Sequence, residues 1–405
     1  MTDVNLPKFQ GLNNRAKDTA LPEGKLYNAV NVLFADDGTV LFPRPGKTLR
    51  YAGDCKWIHA TDDLTLFVED GDLKRLNDDD TATTLQSGVG STRVFYTQVA
   101  DTLYWANELT SGRIVNGVNY EWGTARPPRQ PDATPVSVGG LFAGEYRICI
   151  TWIGSDGQEG GTGNSKRVTV VDGGGIYLNN FPTPPAYCSG VAIYISSVNS
   201  KDLSLYGEFS ADIDQITLTN RICTVPLSTQ FAWTPRPIGI IKAHYGRIYY
   251  AVGDKVYWTD LHNYGLQHKG QYFRLDSNVQ VIISCPNVLY IGTQNKFGRI
   301  TNIDGDGPAI YEELQDCATV KGSEVYHPDG KTAYVMSDRG WLQCSPEGVA
   351  EISYKDIAIP FFKEGTQTIL QQDGHDYLIF VGRDATANPL ANSEYAAAEA
   401  LRGVL

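Results

Sequence analysis

The sequence predicts an all-β fold: a propeller of about six blades, interrupted by a β-sandwich and followed by a short C-terminal helix. Three observations carry this expectation. The 405 residues hold 41 Gly, 20 Pro and 23 Tyr against 2 Met, a composition of short aromatic strands joined by many turns. A triplet of apolar, aromatic and apolar residues, followed by a turn and another strand, recurs along the chain. One Pro-bounded stretch interrupts that recurrence once.

The chain opens with Phe9-Gln10-Gly11-Leu12-Asn13-Asn14-Arg15, then Asn28-Ala29-Val30-Asn31-Val32. Asp37-Gly38 follows between two apolar runs and predicts a tight hairpin whose central residues need positive φ. Arg44-Pro45-Gly46 ends the second strand, because Pro cannot donate to a ladder and Gly permits a sharp exit. This phrase resembles the N-termini of bacteriophage tail proteins of the nozzle and hub type. Those are β-propeller proteins that extend the tail channel of short-tailed phages below the portal and adaptor, with relatives at the tips of some long tails. The resemblance covers about the first 50 residues and is diffuse beyond them.

The repeat begins with Leu66-Phe67-Val68 and Leu103-Tyr104-Trp105, and returns as Ile248-Tyr249-Tyr250, Leu289-Tyr290-Ile291, Ala333-Tyr334-Val335 and Tyr377-Leu378-Ile379. The aromatic column Phe67, Tyr104, Tyr249, Tyr290, Tyr334 and Tyr377 has intervals of 37, 145, 41, 44 and 43 residues. A four-stranded blade takes about 40 residues. The long interval contains 127–235, flanked by Arg126-Pro127-Pro128-Arg129-Gln130-Pro131 and Thr234-Pro235-Arg236-Pro237, stiff runs typical of domain boundaries. Without those 109 residues the interval is 36, and the period is restored.

Within the insert, Gly144–Trp152, Arg167–Val171, Ile176–Leu178, Gly190–Ile195 and Gln215–Thr219 read as strands separated by turn residues. Six or seven short strands in about 100 residues predict a fibronectin-III-like or immunoglobulin-like sandwich. The run from Ala143 to Gly161, with Val191–Ser196, resembles the fibronectin-type modules common in phage tail proteins. After Asn388-Pro389, Ser393 is placed to cap a helix over Glu394–Arg402 that Gly403 stops. The expected organisation is 1–126 for the N-terminal segment and first blades, 127–235 for the sandwich, 236–388 for the remaining blades and 389–405 for the helix.

Charge and motifs narrow the function classes. A net charge of −12 opposes a protein that grips nucleic acid but suits a wall along which DNA slides. Seven scattered Cys argue against a disulfide scaffold or a zinc site and suit a reducing cytosol. No apolar run is long enough to span a bilayer, and Met1-Thr2-Asp3-Val4 does not begin a signal peptide. Six His lack ligand spacing, His262 and His268 read as surface-loop residues, and no nucleophile elbow or phosphate loop occurs. Asp304-Gly305-Asp306-Gly307 starts like a calcium loop but continues with Pro308 and reaches Gln315 where the bidentate Glu belongs. Asp338 reads as a turn residue. No catalytic residue, cofactor or metal is therefore expected.

The tail-protein resemblance implies a structural virion protein, working in the phage tail after assembly in the host cytoplasm. Its implied partners are further copies of itself in a closed ring of six, the portal and adaptor or other tail proteins, and tail fibres. Double-stranded DNA would pass without specific binding. Asn13, Asn14, Arg15, Asp37, Gly38 and Arg44 are the expected assembly residues; they equally suit a hairpin that closes the propeller with a strand from the chain's start. Arg15 and Arg44 also suit pairing with a neighbour's carboxylates. Two other classes stay open: a tail-tip module that binds a host receptor or glycan, which an exposed aromatic patch on the insert, for example around Tyr187 or Tyr206, would favour, and a polysaccharide-degrading propeller enzyme.

Overall fold

In the computed structural model, residues 21–22, 24–26, 32–34, 41–43, 49–61, 63–220, 225–301, 310–352, 361–372 and 375–386 are described. Every regular element among them is a strand, and the fold is all-β and propeller-like. Five antiparallel sheets of four strands follow one another as simple meanders. The first sheet is Lys56–Ala60, Thr65–Glu69, Asp72–Leu76 and Ala82–Gln86, and the second Phe95–Val99, Thr102–Ala106, Ser111–Val115 and Val118–Glu121. The third is Ile241–His244, Arg247–Val252, Lys255–Trp258 and Tyr272–Arg274. The fourth is Val279–Cys285, Val288–Thr293, Phe297–Thr301 and Ile310–Gln315, and the fifth Val325–Tyr326, Ala333–Ser337, Gly340–Ser345 and Gly348–Glu351. A sixth unit is a long hairpin of only two strands, Phe361–Gln372 and His375–Thr386.

The turns explain why the strands meet so tightly. Asp70-Gly71 and Asn116-Gly117 have positive φ at both residues, the mirror-image turn whose twist matches that of paired strands. The aromatic column falls in one place: each of its six residues lies in the second strand of its sheet or of the terminal hairpin. Phe67, Tyr104, Tyr249 and Tyr290 are buried, and Tyr334 is half-buried. Opposite Phe67, Tyr104 and Tyr290 on the third strand stand Lys74, Arg113 and Arg299.

Neighbouring sheets share apolar cores. Leu66, Val68, Leu103 and Trp105 join the first and second sheets; Tyr104, Ile248, Tyr249, Ile282 and Leu289 join the second, third and fourth. Ile283, Tyr290, Val335 and Leu342 join the fourth and fifth, and Met336, Phe362 and Phe380 join the fifth to the terminal hairpin. The first strands of the second, third and fourth sheets pack in turn on one another, and that of the fifth packs on the first strand of the terminal hairpin, as at a propeller axis.

Between the second and third sheets lies a sandwich whose seven described strands are Asp132–Leu141, Gly144–Gly154, Lys166–Val170, Gly174–Asn179, Cys188–Ser196, Leu203–Ser210 and Gln215–Leu218. The first, fourth and seventh make one sheet; the other runs in the order third, second, fifth, sixth. Tyr146, Ile148, Ile150, Ile176, Leu178 and Ile193 fill the space between them. The first two strands lie in opposite sheets, whereas an immunoglobulin-type sandwich keeps its first two in one.

The Pro-rich boundaries are not free spacers. Arg126 stacks 4.1 Å over the Trp233 ring, and Thr234 Oγ1 donates to Thr124 O at 2.6 Å, so the two ends of the insert meet. Arg129 and Gln130 already belong to the sandwich: Arg129 donates to Asn180 O at 2.7 Å, and Gln130 Oε1 accepts from Ile150 N at 2.7 Å.

Near the start, Val32–Phe34 pairs antiparallel with Leu41–Pro43, with Phe34 opposite Leu41. That register centres the hairpin between Asp37 and Gly38, but both residues lie outside the described ones, as do Asp304–Gly307 and the residues 389–405 expected to form a helix.

Candidate functional site at the closure seam

The junction between the terminal hairpin and the first sheet differs from the others. No buried apolar cluster joins these two among the described residues; cations on an aromatic ring do so instead. Arg93 leaves the turn before the second sheet and donates from Nη1 to Gly365 O at 2.7 Å and Thr366 Oγ1 at 3.1 Å. Its Nη2 donates to Gly322 O at 2.6 Å. The same guanidinium lies 5.2 Å from the Trp57 ring, and Arg383 lies 4.5 Å from that ring. One side chain thus ties the first, second, fifth and sixth units together. Burial lowers the Arg93 pKa, and the neighbouring Glu324 and Glu364 oppose that shift.

Beside the seam, the first strands present a polar cluster toward one another. His59 stacks on Tyr96, with ring centroids 4.7 Å apart. Tyr96 donates to Trp57 O at 3.2 Å. Lys242 Nζ sits 4.1 Å from the Tyr326 ring, whose hydroxyl accepts from Ser284 N at 2.9 Å. Burial lowers the Lys242 pKa despite Glu324, and burial with Lys242 nearby holds His59 down to about 4. His59 is therefore neutral at pH 7. Glu324 Oε2 and His59 Nε2 are buried without a hydrogen-bond partner in the structure. This arrangement positions strands; it places no nucleophile against a base. Among the described residues, no three His, Cys, Asp or Glu side chains gather to hold a metal.

A second feature is a cleft of about 300 Å³ where the second sheet meets the sandwich. Arg113 pairs with Asp156 across it and donates to Glu121 O at 3.0 Å. Tyr187 faces this cleft and accepts from Ala125 N at 3.2 Å.

The residues expected from sequence fare unevenly. Asn13, Asn14, Arg15, Asp37, Gly38 and Arg44 lie outside the described residues. Tyr187 and Tyr206, around which an exposed aromatic patch would favour a recognition module, are both half-buried, and Tyr187 is held at the propeller junction. Exposed apolar side chains gather instead at the far end of the sandwich, where Val138, Phe142 and Val171 are 77%, 71% and 64% exposed. His262 is exposed as expected, while His268 is half-buried and within 3.0 Å of Asp260. Asp338 does lie in the two-residue turn between Ala333–Ser337 and Gly340–Ser345. The seam residues Trp57, Arg93 and Arg383 went unread in the sequence, because single cations and a lone Trp carry no period.

No protein-family model and no curated protein matches the chain. Among solved structures, the extracellular domain of the BT4673 one-component system from B. thetaiotaomicron is similar at 9% identity and a TM-score of 0.32. That match covers 93% of this chain, which spans about half, 48%, of the other. A 6-phosphogluconolactonase-like protein from Bacteroides uniformis aligns at 9% identity and a TM-score of 0.35, covering 81% of this chain and 91% of that one. Virginiamycin B lyase from Staphylococcus aureus aligns at 15% and 0.21, covering 70% and 91%. Likenesses this distant carry no activity over to this chain.

Proposed function

We propose that the chain is a structural subunit of a bacteriophage tail, of the nozzle or hub type. Copies form a ring-shaped channel that retains and then releases genomic DNA. The observation that carries this reading is the N-terminal phrase, together with the paired strands Val32–Phe34 and Leu41–Pro43 that centre on its Asp37-Gly38. The polar interior adds support: Arg93, Lys242 and their neighbours lock strands together, a scaffold's use of charge. In this reading the sandwich is a fibronectin-type accessory module, and the channel lies between copies.

Cryo-electron imaging of the particle tests this directly, with density for the protein in a ring below the head-to-tail junction as the expected result. Deleting residues 390–405 should reduce incorporation or leave tails that leak DNA. A protein absent from the particle overturns the reading. A second reading, a tail-tip recognition module, draws on Val138, Phe142 and Val171 at the sandwich tip. Loss of host adsorption in a Phe142→Ser variant with intact tails would favour it.

A further inference from the structure

Polar contacts fasten the terminal hairpin from base to tip, and the contact nearest the tip titrates. At the base, Gly365 N donates to Lys321 O at 3.0 Å, and Arg93 Nη1 donates to Gly365 O at 2.7 Å. Midway, Trp341 Nε1 donates to Gln367 Oε1 at 3.0 Å, while the Gln367 amide donates to Ser323 O. Amides, an indole N–H and a guanidinium keep their protonation across the ordinary pH range. Near the tip the contact is His327 with Asp376, whose Nε2 and Oδ2 lie 2.6 Å apart.

The local sequence builds this contact from both sides. His327 follows the strand Val325–Tyr326 and opens the turn His327-Pro328-Asp329-Gly330, in which Gly330 N donates to His327 O at 3.1 Å. Pro at the second place of such a turn fixes its φ. The Asp329 carboxylate is anchored there by Lys331 N at 2.8 Å and Thr332 N at 2.9 Å. From the hairpin, Gln371 Nε2 donates to Asp376 Oδ1 at 2.9 Å, leaving Oδ2 for the imidazole.

The other ring nitrogen has two partners at 3.2 Å. Asp329 N donates to Nδ1, and Asp329 Oδ2 is an acceptor beside it. A neutral ring uses the first, with its single proton on Nε2 toward Asp376. A protonated ring uses the second and lies between two carboxylates. Both states fit, but only the protonated one joins the turn to the hairpin by charge.

We propose that His327 is a pH-sensitive latch: protonated, it holds the hairpin tip to the fifth sheet through Asp376, and deprotonated it lets the tip open more often. The bond to Asp376 raises the His327 pKa above its ordinary 6.5, burial opposes the rise, and Asp329 adds to it. Backbone bonds from Lys331 and Thr332 hold the Asp329 carboxyl far below the usual range, and His327 and Gln371 lower that of Asp376. Both carboxylates are therefore ionised wherever His327 titrates. The other charged or titratable groups near the turn are Lys331, Glu347 beside it, Tyr334 on the neighbouring strand and Cys285 of the fourth sheet. Tyr334 and Cys285 have raised pKa values and stay neutral through this range. Asp373 and the His375 side chain lie outside the described residues. Because the folded pKa lies above the unfolded one, the latch contributes fully below pH 6.5 and is lost as pH rises through the folded value. Side-chain exposures of 22% for His327 and 43% for Asp376 keep the effect small.

Histidine-resolved NMR on the full-length chain measures the latch. The His327 signal, identified by its loss in His327→Gln, should titrate with a midpoint above 6.5, and Asp376→Asn should bring that midpoint down. Hydrogen exchange at about pH 5.5 and about pH 8.5, corrected for intrinsic rates and referred to the fourth sheet, reads the consequence. Amides of 367–371 and 376–380 should open about two- to fivefold more at the higher pH. The change should persist in His375→Gln. It should vanish in His327→Gln and in Asp376→Asn, which should open at both pH values as the wild type does at the higher one. A midpoint at or below 6.5, equal opening at both pH values, or an unchanged pH dependence in either latch variant overturns the proposal. So does a pH dependence that disappears in His375→Gln. Should His327→Gln fail to fold, the wild-type exchange and Asp376→Asn still decide. Neither measurement involves a particle, so the latch stands or falls apart from the tail reading.

Discussion

The fourth sheet and the terminal hairpin carry the same repeat and end up differently. In the fourth sheet, Tyr290 lies on the second of four strands, fully buried against Phe297, with its hydroxyl donating to Ser345 O at 2.8 Å. In the hairpin, Tyr377 holds the equivalent second-strand place, but no third strand joins it among the described residues. The fourth sheet is covered by apolar neighbours on both sides; the hairpin packs Phe362 and Phe380 on Val320 and Met336 on one side, and on the other its Arg383 lies over Trp57 beside Arg93. A shared local pattern therefore sets where a strand pairs. It does not set how many of the described strands join a sheet: four around Tyr290, two around Tyr377.

The largest expected effect lies in the complete sheet. Tyr290→Ala removes a fully buried ring and should cost about 3–5 kcal/mol in urea unfolding. A cost under about 1 kcal/mol would show that the column residues are not equivalent core positions. The paired test in the hairpin is Gly382→Ala. A Cβ there would meet the Phe362 ring at 2.3 Å, and Gly365 sits just as close beneath Phe380. The ring cannot yield without disturbing the packing of Phe362 and Phe380 on Val320 and Met336, so about 1–3 kcal/mol of destabilisation is expected. An unchanged Tm would mean the hairpin is not docked on the fifth sheet.

How legible this was depends on the kind of signal. Second-strand aromatics were readable because burial repeats with the blade, and the insert was readable because Pro-rich boundaries and a restored period coincide. The closing of the insert's ends was not: nothing in Arg126 or Trp233 alone announces a 4.1 Å stack between residues more than 100 apart. The covering of Tyr187 at the junction was not legible for the same reason. The seam depends on Arg93, whose three acceptors are backbone and hydroxyl groups some 230 to 270 residues away. Periodicity cannot reveal contacts of that range.

At the junction between propeller and sandwich the expected effect is intermediate. Arg113 and Asp156 are 11% and 14% exposed at their side chains, and burial lowers the Arg113 pKa. Asp156→Asn should cost about 1–3 kcal/mol, because the guanidinium stays buried while losing its charged partner. Excising 127–235 and joining Arg126 to Arg236 should still leave a propeller that unfolds cooperatively, at a lower Tm. An aggregated or molten product would show that the two domains share one core.

The smallest effect separates the polar axis from both apolar regions, and pH reads it. His59 has its pKa lowered from 6.5 to about 4 by burial and by Lys242, so it is neutral in the folded protein. Tyr96 stacks on it; Lys242, Tyr326 and Glu324 are the other titratable groups beside it in this cluster. The unfolded chain binds a proton near pH 6.5 that the folded chain refuses until about pH 4. The stability that neutral His59 contributes is thus complete above pH 6.5, falls as pH drops through that window, and levels off below about 4. Many carboxylates titrate in the same range, so the informative quantity is the difference between wild type and His59→Gln. That difference should change by about 1–2 kcal/mol between pH 7 and pH 4.5, with the wild type losing more. Parallel stability curves for the two proteins would mean that solvent reaches the imidazole and that the axis is open where the structure shows it filled.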